Sequence, residues 1–157
     1  MYKITSFTVD HRKIEPGMYI SRTDNDITTY DMRTRKPNCG EYMDNITMHT
    51  LEHMFATFVR NSEIANDVIY FGPMGCQTGF YLLVRNANNN RVYEITLDIL
   101  RKIINYNGDV FGSSETECGN YKNLNLESAK KEAKSYLEIL ENTPYHPEYY
   151  YEEKRRI

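Results

Sequence analysis

Apolar positions along the chain recur at two different periods, and the switches between them mark out its elements. Phe7 and Val9 alternate with polar neighbours, which predicts an opening strand. Met18 to Ile20 and Ile27 to Met32 flank the turn-rich Thr23-Asp24-Asn25-Asp26, the pattern of a hairpin. At Asn45, a residue suited to an N-cap, the period lengthens. Ile46, Met48, Leu51, Phe55, Phe58 and Val59 make the apolar side of a helix running to about Asn61. A short strand from Val68 to Phe71 leads into Gly72-Pro73-Met74-Gly75-Cys76-Gln77-Thr78-Gly79, a fixed tight turn, and then an apolar strand from Phe80 to Val84. After the polar loop Asn86 to Asn90, the stripe Val92, Ile95, Ile99 and Ile103 predicts a helix from Arg91 to Tyr106, with Gly108 as its stop. Residues 109–123 are rich in Gly, Ser and Asn and read as a loop. Asn125 can cap a third helix, Leu126 to about Glu141, with Ala129, Ala133, Tyr136, Leu137 and Leu140 facing inward. Pro144 and Pro147 end regular structure, and residues 143–157, with their tyrosines, read as a C-terminal tail.

Strands and helices alternate without the regularity of βαβ units, so the expected class is α+β: an antiparallel sheet with helices packed on one face, in a single domain spanning 1–157. A chain of 157 residues buries roughly 70% of its unfolded surface and needs no disulfide to fold. Its three cysteines are an odd number and the N-terminus lacks an apolar signal core, which favours a reducing, cytoplasmic setting. The longest apolar candidate, Phe80 to Val84, is far short of a membrane span, so a soluble protein with no membrane partner is expected. Net charge is -3 and the basic residues are scattered, which argues against nucleic acid as a partner. The short patches Arg33-Thr34-Arg35-Lys36 and Lys154-Arg155-Arg156 read as solvated surface and tail, although one arginine of the first can still bind a carboxylate.

The chemistry concentrates in His49-Thr50-Leu51-Glu52-His53, expected in the first two turns of the first helix. Residues i and i+4 stack one turn apart, so both imidazoles can reach one ion while Glu52 handles protons beside it. The spacing is HxxEH, the reverse of the HExxH zinc motif. Two imidazoles make half a tetrahedral site. The other donors must come from among Cys39, Cys76, Cys118, His11, His146 and the carboxylates. A thiolate beside two imidazoles suits zinc or ferrous iron, and three protein ligands leave one position open to substrate. Cys118, in a polar loop with no packing reason for a cysteine, reads as a ligand. Cys76, in a turn where Gly75 and Gly79 leave room for a ligand, reads as a reactive thiol able to serve as a base; Cys39 reads as structural. Two rival readings are a small inverted-motif zinc metallopeptidase, with Glu52 activating water, and a structural metal module closed by four ligands. The first gives Cys76 and Cys118 no role.

The segments HTLEH, PMGCQTGFY and ECGNYKNLNLESAK, together with SFTVDH and YDMRTRKPN, resemble the S-ribosylhomocysteine lyases, the LuxS family that makes the autoinducer-2 precursor. The resemblance covers almost the whole chain, and PMGCQTGFY is its most specific part. It implies one divalent metal per subunit bound by His49, His53 and Cys118, Fe2+ in the native enzyme and replaceable by Zn2+ or Co2+. It also implies Glu52 and Cys76 as the acid/base pair, and S-ribosyl-L-homocysteine as a substrate cleaved to L-homocysteine and 4,5-dihydroxypentane-2,3-dione. A homodimer with sites at the subunit interface is implied as well, where Ser6, His11 and Arg33 reach substrate, some from the neighbouring chain. Val68-Ile69-Tyr70-Phe71-Gly72 stands where many members carry an acidic residue, and Arg35 is an alternative to Arg33 as the substrate-binding arginine.

Overall fold

Two hairpins build the sheet. In the computed structural model, which describes residues 2–143, β1 (Gly17–Asp24) pairs with β2 (Ile27–Arg33) across the expected Asp-Asn turn. The second hairpin, β3 (Val68–Pro73) and β4 (Gly79–Arg85), joins the first through β2 and β4, giving the antiparallel order β1-β2-β4-β3. The expected tail beyond Thr143 lies outside the described residues.

Strand alternation sorts the sheet into two faces. Met18, Ile20, Tyr30, Met32, Phe71, Phe80, Leu82 and Val84 point into the main core, where they meet α1 (Asn45–Val59), α2 (Asn89–Asn105) and α3 (Leu126–Asn142). All three helices lie on that face, the α+β layering read from the sequence. Tyr19, Asp31, Arg33 and Tyr81 alternate to the opposite face. Gly79 sits opposite Arg33, and a Cβ there would meet the Met32 carbonyl oxygen at 2.5 Å. The missing side chain therefore lets β4 lie close to β2, rather than making room for a ligand as expected.

The opening strand does not form. Thr5–Phe7 is a single 3-10 turn closed by Phe7 N–H to the Ile4 carbonyl, and Phe7 stays exposed. Two alternating apolar residues supply no pairing partner, and Val9 instead packs with Ile14 against Tyr19 on the sheet's open face.

The first two helices start one or two residues earlier than expected. Asp44, not Asn45, caps α1, its carboxylate accepting the Thr47 N–H at 2.7 Å. A charged acceptor also complements the positive end of the helix dipole, and Asn45 is left free to bind the loop described below. The first helix starts at Asn45 and ends at Val59; counted from that start, His49 and His53 occupy its second and third turns. Asn88 caps α2 and extends it to Asn89, while Asn125 caps α3 as read. Among the described residues no helix is long and apolar enough to cross a membrane.

Candidate metal centre and cysteine pocket

The i, i+4 spacing does for His49 and His53 what the helix geometry requires: their rings meet edge to face with centroids 4.6 Å apart. The loop between α2 and α3 then folds back onto them. The carbonyl of Phe111 accepts from His53 Nδ1 at 2.7 Å, and that of Asn123 accepts from His49 Nδ1 at 2.9 Å. Each bond fixes one ring nitrogen as the N–H and leaves Nε2 with its lone pair, the arrangement typical of metal-ligating histidines. Gly112 permits the approach. It sits at φ +67°, and an added Cβ would come within 3.2 Å of His53 Nδ1. Two further bonds fasten the loop's far end to α1, from Asn123 Nδ2 to Asn45 Oδ1 and from Asn125 N–H to the fully buried Thr50 hydroxyl.

This clamp delivers Cys118. Its Sγ lies 3.4 Å from His49 Nε2, and one donor atom from each of His49, His53 and Cys118 falls within 4.8 Å of the others. Two imidazole nitrogens and a sulfur at that separation fit a single divalent ion, and the donor set suits zinc or ferrous iron. Glu52 lies between the histidines on the same helix, half-buried, with no hydrogen bond or ion pair among the described residues.

A second group forms on the open face. Ser6, Phe7, His11, Arg33, Pro73, Met74, Gly75, Cys76 and Tyr81 line a cavity of about 360 Å³. The Arg33 guanidinium, 2% exposed, is held by Asp31, 0% exposed, through Nε to Oδ1 at 3.1 Å and Nη2 to Oδ2 at 2.6 Å. Burial first, and then the Asp31 charge, push the neighbouring Tyr19 phenol up to about 12, so it stays neutral beside this pair. The remaining Arg33 nitrogen, Nη1, reaches the Thr78 hydroxyl at 2.6 Å and comes within 3.9 Å of Cys76 Sγ. His11 is oriented by a 3.0 Å contact between its Nδ1 and the Val9 carbonyl.

Seven of the eight residues singled out from the sequence thus fall into one of two groups. Arg33, Cys76, Ser6 and His11 share the open-face cavity, His49, His53 and Cys118 share the cluster, and Glu52 directly precedes His53 on α1. The fold does not bring the two groups together within one chain. Arg35 goes elsewhere: it is paired in bidentate fashion with Glu132 and lines a larger cleft of about 690 Å³ between α3 and the segment after β2. Cys39, read as structural, is exposed, its thiol donating to the Lys36 carbonyl. Tyr70, in place of the acidic residue, is half exposed on the open face with its ring over Gly72. Sequence reasoning missed Asp31, Thr78 and Tyr81. The Asp31-x-Arg33 spacing on one strand was the available signal for the first, since i and i+2 share a face.

The family model described as S-Ribosylhomocysteinase (LuxS) matches residues 4–145. Among curated proteins, the S-ribosylhomocysteine lyase of Borreliella afzelii is 45% identical over 148 residues, covering 90% of this chain and 94% of that protein. Those of Finegoldia magna and Clostridium acetobutylicum are 43% and 40% identical, each again over 90% of this chain and 94% of their own length. A match of that extent and closeness, to proteins of one description, means that the chain belongs to the LuxS family.

Proposed function

We propose that the protein is a homodimeric, metal-dependent lyase that cleaves S-ribosyl-L-homocysteine to L-homocysteine and 4,5-dihydroxypentane-2,3-dione. The observation that carries this reading is the His49-His53-Cys118 cluster in a member of this family. Nothing favours the peptidase alternative: the third donor is a cysteine, and the similar proteins are lyases.

Cleaving the thioether at C5 requires the sugar carbonyl to migrate from C1 to C3, because only then is the C4 proton acidic enough for β-elimination of the thiol. Each migration passes through an enediolate. A divalent ion held by His49, His53 and Cys118, Fe2+ in this reading with Zn2+ or Co2+ as substitutes, supplies a Lewis acid that stabilises negative charge developing on the sugar oxygens. Proton transfer falls to the chain's own groups. Glu52 has a carboxylate with no competing partner among the described residues, and Cys76 lines a cavity large enough for one end of the substrate. Ser6, His11 and Arg33 bind that end, with Arg33 preferred to Arg35 because Glu132 already holds the latter.

Where these groups lie supports the dimer. Glu52 and the cluster belong to the helical layer, Cys76 to the open face of the sheet. For both proton carriers to act on one sugar, the open face of one subunit must meet the helical layer of another. Phe7, 70% exposed beside Cys76, and Tyr70 on the same face supply apolar surface for that contact. Each of the two sites is then shared, with Cys76 acting in trans on a substrate held at the other subunit's cluster.

Anaerobically purified, metal-loaded protein incubated with S-ribosylhomocysteine should release one thiol per substrate consumed. Absence of thiol above background would reject the lyase reading.

A further inference from the structure

The Cys76 sulfur has a neighbour that none of the roles above employs. Thr78 is 2% exposed, and its Oγ1 lies 3.0 Å from Cys76 Sγ and 2.6 Å from Arg33 Nη1. A guanidinium has donors and no acceptor, so the Thr78 oxygen accepts from Arg33, and its single proton can donate to sulfur; toward a Cys76 thiolate, which has no proton of its own to give, that is the direction the bond must take. Arg33 cannot turn away, because two of its nitrogens are engaged by buried Asp31. The turn itself is rigid: Gln77 sits at φ +63°, Gln77 N–H donates to the Met74 carbonyl, and Met74 N–H donates to that of Gly79. The Thr78 carbonyl is anchored too, accepting the N–H groups of Thr34 and Arg35 at 3.0 Å each.

We propose that Thr78 is a positioning residue for Cys76, the last link of a chain Asp31–Arg33–Thr78–Cys76 that aims the sulfur into the cavity and holds it as a hydrogen-bond acceptor. The hydroxyl transmits the orientation of the buried ion pair to an atom 3.9 Å from the nearest guanidinium nitrogen, too far for a strong direct bond. The charged or titratable groups around this sulfur are Arg33 and Asp31 on β2, Tyr81 on β4 and His11 on the N-terminal segment. The proposal rests on the lyase reading only for what the sulfur is used for.

Its test separates the two. Metal-loaded wild type, Thr78→Val, Thr78→Ala and Thr78→Ser are alkylated with iodoacetamide at neutral pH, and modification of Cys76 and of exposed Cys39 is followed by peptide mass spectrometry. Thiol release from substrate is measured in parallel. Loss of the hydroxyl donor to the sulfur that attacks the reagent should slow Cys76 alkylation about tenfold in Thr78→Val, with the Cys39 rate and metal content unchanged, and kcat should fall more than KM rises. Thr78→Ser should return both rates to within about twofold of wild type. Should Thr78→Val not fold, Thr78→Ala gives the same comparison. Equal Cys76 rates in wild type and in the folded hydroxyl-free variant, or failure of serine to restore the rate, would overturn the relay. Wild type that alkylates as described but releases no thiol from substrate would instead overturn the lyase reading and leave the relay standing.

Discussion

The cluster on the helical layer and the cavity on the open face hold their reactive atoms by opposite means. At the cluster, two donors come from adjacent turns of one helix and the third arrives on a loop fastened by backbone carbonyls and threonine and asparagine side chains. In the cavity, a fully buried carboxylate fixes a fully buried guanidinium, which in turn addresses the residues around the sulfur. The first is a clamp made of neutral hydrogen bonds, each of modest net strength and open to small adjustments when an ion binds. The second is an ion pair in a dry setting, costly to break because the surviving charge is left without a counterion. The two regions should therefore fail differently: the cluster by losing metal from a folded protein, the cavity by losing stability or proton transfer with the metal retained.

The sharpest separation is between two cysteines. Cys76→Ser is expected to lower turnover by at least about a hundredfold while leaving metal content at the wild-type level. Cys118→Ser should lose most of the metal, measured by elemental analysis after dialysis, and with it the activity. The reverse pattern would mean that the two regions have exchanged roles. Next in size is Asp31→Ala, which leaves Arg33 buried without its partner and should destabilise the fold by about 3–5 kcal/mol in urea titration. A change under about 1 kcal/mol would show that the pair is not the anchor described. Gly112→Ala forces a Cβ toward His53 Nδ1 at a left-handed position and should weaken metal retention about tenfold in chelator competition, with Cys76 alkylation unaffected. Smallest is Asp44→Ala, about 1 kcal/mol from the lost cap of the helix that carries both histidines. Hydrogen bonding from Thr47 holds the Asp44 carboxyl below its ordinary 3.8. The ionised cap thus contributes fully above that pH, and the gap between wild type and variant should narrow as pH falls through the lowered value. A gap independent of pH would rule out the charged cap.

The helix-borne half of the arrangement was far more legible in the sequence than the rest. His49, Glu52 and His53 declare themselves because their spacing is a property of one helix, and the hairpin at Thr23 to Asp26 because turn residues interrupt an alternating pattern. Cys118 was readable only as an unexplained polar-loop cysteine; its meeting with the histidines depends on a fold-back set by Phe111, Gly112 and Asn123, for which no local rule exists. Gly79 was misjudged for the same reason, since the backbone it accommodates is 47 residues earlier in the chain, at Met32. The opening strand failed because two alternating apolar residues have no neighbour to pair with, and Asn45 yielded the cap to Asp44 because residue type alone does not choose between adjacent candidates. That Arg33 and Tyr81, which line the cavity with Cys76, lie on the face away from the helices depends on the parity of β2 and β4 relative to the core, which becomes visible only once the sheet's register is known.

The shared site is tested most directly by mixing. Cys76→Ser and Cys118→Ser proteins, each inactive alone, are combined, allowed to exchange subunits with metal present, and assayed for thiol release. If sulfur and cluster act across the interface, each mixed dimer contains one intact site, and activity should recover to about a quarter of wild type after random reassortment. No recovery, with mixed dimers demonstrated by native mass spectrometry, would contradict a site built from two subunits.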